Sequence, residues 1–319
     1  MTVTELPRDA SDGSSVEWRA RRRWRDLRVA AGCAASLAAL IAVPVFGSPD
    51  IRPESPSVAG HDQLDSERAA HRAMAQTPPD WSAARAAFKR AAESGSATAM
   101  SYLGWMHEHG HGVAVDGKRA AFWYAHAAEA GAPRFALKLG WMYLGGEGVA
   151  QNRELAEFWF RRALDADYPP ARLALASVLI GDALGVEPDQ PGDIDAGVLE
   201  ARDLLEQALA DGDSRASYFL ARIHLEGIGG HPVSPQRAFE LASLGADAGM
   251  PGLQGWLALF YRDGVGTDVD PVAAAVWARL ASAGGDPLGE ALWLELQARL
   301  SADQRRDVEK QARRWAEGG

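Results

Sequence analysis

Cysteine is nearly absent, with Cys33 alone among 319 residues. No intramolecular disulfide can form, which excludes a cysteine-stapled fold. An oxidising compartment stays open, because such compartments permit disulfides without demanding them. Basic tracts are missing from the body of the chain. The formal charge is -10; residues 1–28 hold seven Arg against five acids, a surplus of +2, and 29–47 are uncharged, so 48–319 carry -12. A body this acidic has little to set against phosphates, which argues against nucleic acid as a partner. Gly-x-Ser-x-Gly elbows, phosphate loops and dinucleotide fingerprints are absent as well, so elbow-type hydrolysis and nucleotide cofactors have no support. We expect no enzyme activity and no cofactor.

Long apolar runs are scarce too. The one candidate is 29–47 (VAAGCAASLAALIAVPVFG), 19 residues without a charge. As a helix it would span about 28 Å, enough for a bilayer core. Arg19, Arg21, Arg22, Arg23, Arg25 and Arg28 precede it, and Asp50, Glu54 and Asp62 follow it. The positive-inside rule keeps the N-terminus cytoplasmic and exports the rest. Val45-Phe46-Gly47 before Ser48 offers an alternative, a signal-peptidase site. The expected organisation is a cytoplasmic basic tail (1–28), a transmembrane helix or uncleaved signal anchor (29–47) and a Pro-rich linker (48–62). A repeat body (63–300) follows, then a capping helix (301–319) opened by the capping-box pair Ser301 and Gln304.

What the chain does have is internal periodicity. Residues 91–113 (AAESGSATAMSYLGWMHEHGHGV) align with 127–149 (AAEAGAPRFALKLGWMYLGGEGV) in one register, 36 residues apart. Marker positions at the ends of second helices fall at Gly95, Gly131, Asp167, Gly212, Gly249 and Gly285, spaced 36, 36, 45, 37 and 36. Eight residues past each marker stand Leu103, Leu139, Leu175, Leu220, Leu257 and Trp293. Gly104, Gly140, Ala176, Ala221 and Ala258 come next. Eight residues before a marker stand Trp123, Trp159, Leu204, Leu241 and Trp277. Each unit shows two helical runs of about 12–14 residues split by a Gly-rich turn. The Leu and Trp columns are the expected core of each hairpin, and the small column lets helices approach closely. One hairpin cannot bury its apolar face alone, so the units must stack.

Leu-Gly-x-x-Tyr at 139–143, Gly-x-Gly-Val at 110–113 and 146–149, Gly-x-Gly at 264–266 and Ala-x-x-Trp before the Ala-Ala pairs resemble the Sel1-like repeat family, a relative of the tetratricopeptide repeat. The resemblance covers about residues 80–290. The third unit departs from it: Asp167 replaces Gly, Tyr168-Pro169-Pro170 follows, and nine extra residues fall around 185–195. It implies an all-α fold, an α/α superhelical solenoid of helical hairpins, here preceded by one N-terminal transmembrane helix. It also implies a non-enzymatic scaffold or regulator in the bacterial cell envelope, binding a partner protein or peptide in a concave groove. The alternative is an envelope protein that binds, or hydrolyses, peptidoglycan or polysaccharide. The expected location is the bacterial inner membrane, single-pass, with the repeats periplasmic, or the periplasm itself after signal cleavage. Carried over by the geometry of tetratricopeptide-like first helices, the groove presents Trp105, Glu108, His109, Arg134, Trp141, Ser177, Arg215, Tyr218, Arg222, Glu226 and Arg262.

Two clusters have metal-ligand composition. His107-Glu108-His109-Gly110-His111 lacks the i,i+4 pairing of metal helices, and His107 falls in the packing column of Tyr143, so a packed or solvated role is expected. Asp189 to Glu200 places acids at EF-hand-like positions, but Pro191 and Ile194 stand where a ligand and the turn glycine belong, so a solvated loop is expected. No metal site is assigned.

Overall fold

A computed structural model describes residues 61–183 and 196–318. The tail, the apolar run 29–47, nearly all of the linker and most of the acidic insertion lie outside the described residues. Among the described residues every regular element is helical, and no helix is long and apolar enough to cross a membrane. The chain divides between Ala216 and Ser217 into two compact units. In the first, α1 (His61–Met74) pairs with α2 (Trp81–Glu93), α3 (Ala97–His109) with α4 (Gly117–Glu129), α5 (Pro133–Gly145) with α6 (Arg153–Asp165), and α7 (Ala171–Ala183) with α8 (Ala196–Ala210). In the second, the helices are α9 (Ala216–Glu226), α10 (Pro235–Asp247), α11 (Pro251–Asp263), α12 (Pro271–Ala283), α13 (Pro287–Gln297) and α14 (Ala302–Gly318).

Local chemistry sets these boundaries. Second helices start at polar caps: Asp80, Asp116, Asn152, Ser234 and Asp270 each accept a backbone N–H of the first turn, satisfying donors that a helix start leaves free. First helices end on a left-handed glycine at Gly110, Gly146 and Gly264, a conformation that carries no Cβ penalty only in Gly. Each second helix is then pinned to its own first helix by one backbone bond of the same kind. Asp116, Asn152, Ser234 and Asp270 N–H donate to the carbonyls of His107, Tyr143, His224 and Tyr261 at 2.8–2.9 Å. Asp167, the non-glycine marker, takes φ +54° and keeps the turn of its neighbours. Ser301 and Gln304 form the reciprocal capping box that opens α14, with bonds of 2.9 and 3.2 Å.

The second glycine of each pair has a further role that spacing alone does not show. A Cβ on Gly148 would stand 2.8 Å from Gly117 Cα, and one on Gly112 would stand 2.5 Å from Trp81 Cβ. These turns, and that of Gly266 on Pro235, therefore rest on the first residue of the preceding second helix, 31 positions earlier in the sequence.

The core follows the leucine column: Leu103, Leu139, Leu175, Leu220 and Leu257 are buried. The tryptophan column differs from expectation. Trp123, Trp159, Leu204 and Trp277 are only half-buried, whereas the next residue in the chain, Tyr124, Phe160, Leu205 or Ala278, is buried; Leu241 alone of the column is buried as expected, together with Ala242. The small column explains the offset. A Cβ on Gly140 would sit 2.2 Å from the Phe160 ring, and one on Gly104 would sit 2.6 Å from Tyr124. The aromatic ring lies on bare backbone and so takes the centre, leaving its tryptophan neighbour at the edge.

Candidate partner-binding surface

In the first unit α3 carries three of the expected groove residues. Trp105 is half-buried, with its ring 6.1 Å from Trp81. The His111 ring stacks on both indoles, at 4.6 Å from Trp81 and 4.2 Å from Trp105. His109 is exposed, and its Nδ1 lies 3.1 Å from the Trp105 carbonyl. Glu108 reaches across the unit instead of outward. It accepts from Tyr124 Oη at 2.5 Å and from Lys138 Nζ at 2.8 and 2.7 Å, tying α3 to α4 and α5. Lys138 is buried, and that burial lowers its pKa while Glu108 works to raise it. Burial pushes Tyr124 well above the usual tyrosine range, and Glu108 adds to the shift.

The other expected residues of this unit are scattered. Trp141, half-buried, meets the Phe160 ring edge-on at 5.1 Å. The Arg134 guanidinium lies 5.0 Å from the Phe135 ring. Ser177 is buried and its hydroxyl donates to the Ala174 carbonyl. Arg215 clasps Asp213 at 2.7 and 2.5 Å.

In the second unit Tyr218 and Arg222 are buried. Arg222 donates to both Glu226 oxygens, at 2.9 and 3.2 Å. Burial works to lower its pKa, and the Glu226 carboxylate together with Tyr218 more than offsets this. Arg262 grips Asp263 through two bonds and reaches Glu295 at 3.1 Å. The Asp263 carboxylate is the main reason its pKa is raised. Arg215, Arg222 and Arg262 thus engage acids of their own unit, while Arg134 lies over an aromatic ring.

The second helices carry exposed aromatics that the expected groove does not include. Phe122 is 55% exposed and Phe158 50% exposed, each beside a half-buried tryptophan that it meets at a steep angle. The signal was in the sequence: Phe-Trp recurs at 122–123 and 158–159, one repeat apart. Reading only its tryptophan as a column hid the phenylalanine.

The histidine cluster separates. His107 is buried, with no hydrogen-bond partner at Nδ1, while His109 faces solvent and His111 lies between indoles. Among the described residues no three His, Cys, Asp or Glu side chains form a metal-sized group. Burial lowers the pKa of both His107 and His111 from 6.5. A base whose folded pKa is depressed stabilises the fold above its unfolded pKa, and this is lost as pH falls through it. Denaturant unfolding is therefore expected to show stability falling from about pH 7.5 to about 5.5, by at most ~1.4 kcal/mol per pH unit for each histidine. His107→Gln should show a shallower fall.

Comparison with known proteins agrees with this geometry. The Sel1 repeat family model matches residues 97–131, 133–168, 214–250 and 254–286. Among the described residues the fold is all-α, the four matched stretches are similar to Sel1 repeats, and the α7–α8 hairpin, with its inserted residues, falls outside the matches. Among solved structures it is similar to c5321, a protective antigen of uropathogenic Escherichia coli with this fold. The identity is 26% and the TM-score 0.65, over 80% of this chain and 53% of that one. The chain thus spans about half of that relative. A Sel1 repeat protein from Oxalobacter formigenes is similar at 21% identity and TM-score 0.57, over 81% of this chain and 96% of its own. No curated protein matches. Sel1-repeat proteins generally serve as protein–protein interaction scaffolds.

Proposed function

We propose that this chain is a non-enzymatic scaffold that docks a partner protein at a bacterial envelope membrane. Residues 29–47 hold it there, and the Sel1 repeats are exported. The observation that carries the docking is the pair of exposed phenylalanines, Phe122 and Phe158, one repeat apart on second helices. Large exposed apolar side chains in a regular row mark a surface that another protein covers, and aromatic anchors dominate such contacts. The partial exposure of Trp105 and Trp141 and the exposure of His109, all on first helices, support their place in the groove expected from the repeat geometry. The arginines before 29–47 and the acids after it support the topology.

Photoreactive amino acids at Trp141 and Phe158 of the full chain, in its own cells, test the docking. A discrete protein adduct from at least one of these positions, and none from exposed Arg237, is the expected result. No adduct from either position would overturn the reading. A phosphatase fused after residue 60 should be active, and an inactive fusion would overturn the topology.

A further inference from the structure

Between α2 and α4 of the first unit lies a cleft of about 510 Å3. Arg85 and Lys89 line it from α2, Arg119, Phe122 and Trp123 line it from α4, and His107 of α3 lies in its wall. The cations there are incompletely matched. Lys89 stands 3.9 Å from Glu93 and Arg119 3.3 Å from Asp116, both pairs largely exposed and so only weakly held. Arg85 has no ion-pair partner among the described residues. His107 is 7% exposed, and its Nδ1 has no hydrogen-bond partner. Its backbone bond is to Ala114. A buried polar atom left unpaired in a cleft wall is costly unless something fills the cleft.

We infer that this cleft binds an acidic, apolar peptide segment: a side-chain carboxylate held by Arg85 and Arg119, with a neighbouring apolar side chain on the Phe122–Trp123 pair. The inference rests on the scaffold reading and deepens it by stating the partner's chemistry. Charge and shape select the occupant. Guanidinium groups grip carboxylates through two parallel bonds, and the two aromatic rings give an apolar neighbour a surface that a free inorganic anion would not use. No acid lines the cleft although the body is acidic, so its field favours a negative segment. The same field already bears on His107. After burial, Arg119 pushes its pKa down, Asp116 pulls it up, and Arg85 pushes it down again. A carboxylate set among these groups would oppose the two arginines.

The test uses the full-length chain in detergent micelles and a fluorescein-labelled peptide alternating glutamate and leucine, read by fluorescence anisotropy. Arg85→Ala, Arg119→Ala and Phe122→Ala should each weaken binding about tenfold, with helicity and melting unchanged because all three side chains are exposed. Arg237→Ala, in the second unit, should leave affinity as it was. Equal affinity for a glutamine–leucine peptide, displacement by inorganic phosphate, or wild-type affinity in Arg85→Ala and Arg119→Ala would each overturn the site. Absence of peptide binding while Phe158 still cross-links to a protein in cells would overturn the cleft alone. Absence of both would overturn the scaffold reading with it.

Discussion

Replacing Glu108 by Gln is expected to lower folding stability by about 3 kcal/mol. Lys138 has a side chain only 6% exposed, and both Glu108 oxygens lie within 2.8 Å of its ammonium. Removing one partner of such a pair leaves a desolvated charge behind, which costs about 3–5 kcal/mol when both are buried. Glu108 keeps some contact with solvent, so the lower end applies. Tyr124 and Lys138 are then left to share the single amide oxygen that glutamine keeps. For a chain of this size the melting temperature should fall by roughly 6–12 °C. A double variant, Glu108→Gln with Lys138→Met, should recover part of the loss, because an apolar side chain tolerates burial that an ammonium does not. Wild-type melting in the single variant would show that the pair does not hold α3, α4 and α5 together.

Phe160→Ala should cost about 3–5 kcal/mol, the usual range for truncating a buried aromatic. Trp159→Ala, one residue away and larger, should cost roughly half as much, because a half-buried ring has less contact to lose. Phe160 lies against the backbone of Gly140, where even one methyl group would collide with it. The glycine opposite has no side chain with which to fill the cavity. Urea unfolding of the two variants ranks them, and equal or reversed losses would return the core to the tryptophan column.

The repeat itself was legible because it is a property of order along the chain. The leucine column, the small column and the glycine pairs recur at fixed offsets, the Ser301–Gln304 cap is a three-residue signature, and each demands one local conformation: apolar periodicity for a helix, positive φ for a glycine, a hydroxyl and an amide for a capping box. Asp167 could be placed as a marker for the same reason, and it takes the left-handed turn there.

What order along the chain could not decide was which neighbours in space each side chain would find. Glu108 and Lys138 are 30 residues apart and come together only when α3 packs beside α5, so the acid offered to a groove by register instead serves a buried ammonium. Register likewise gave Trp123 and Phe122 adjacent positions on one helix, but only packing on α3 sends Tyr124 to the centre, leaves Trp123 at the edge and exposes Phe122. His107 shares a column with Tyr143, and the column predicts packing. It cannot predict that a smaller ring, with a nitrogen in it, would be left unpaired beside three cations carried in by two other helices. Periodicity thus determined the hairpins, because hydrogen bonds and turns are local. The surfaces they present were decided by tertiary structure, because burial and charge pairing depend on distances between helices that the sequence does not contain.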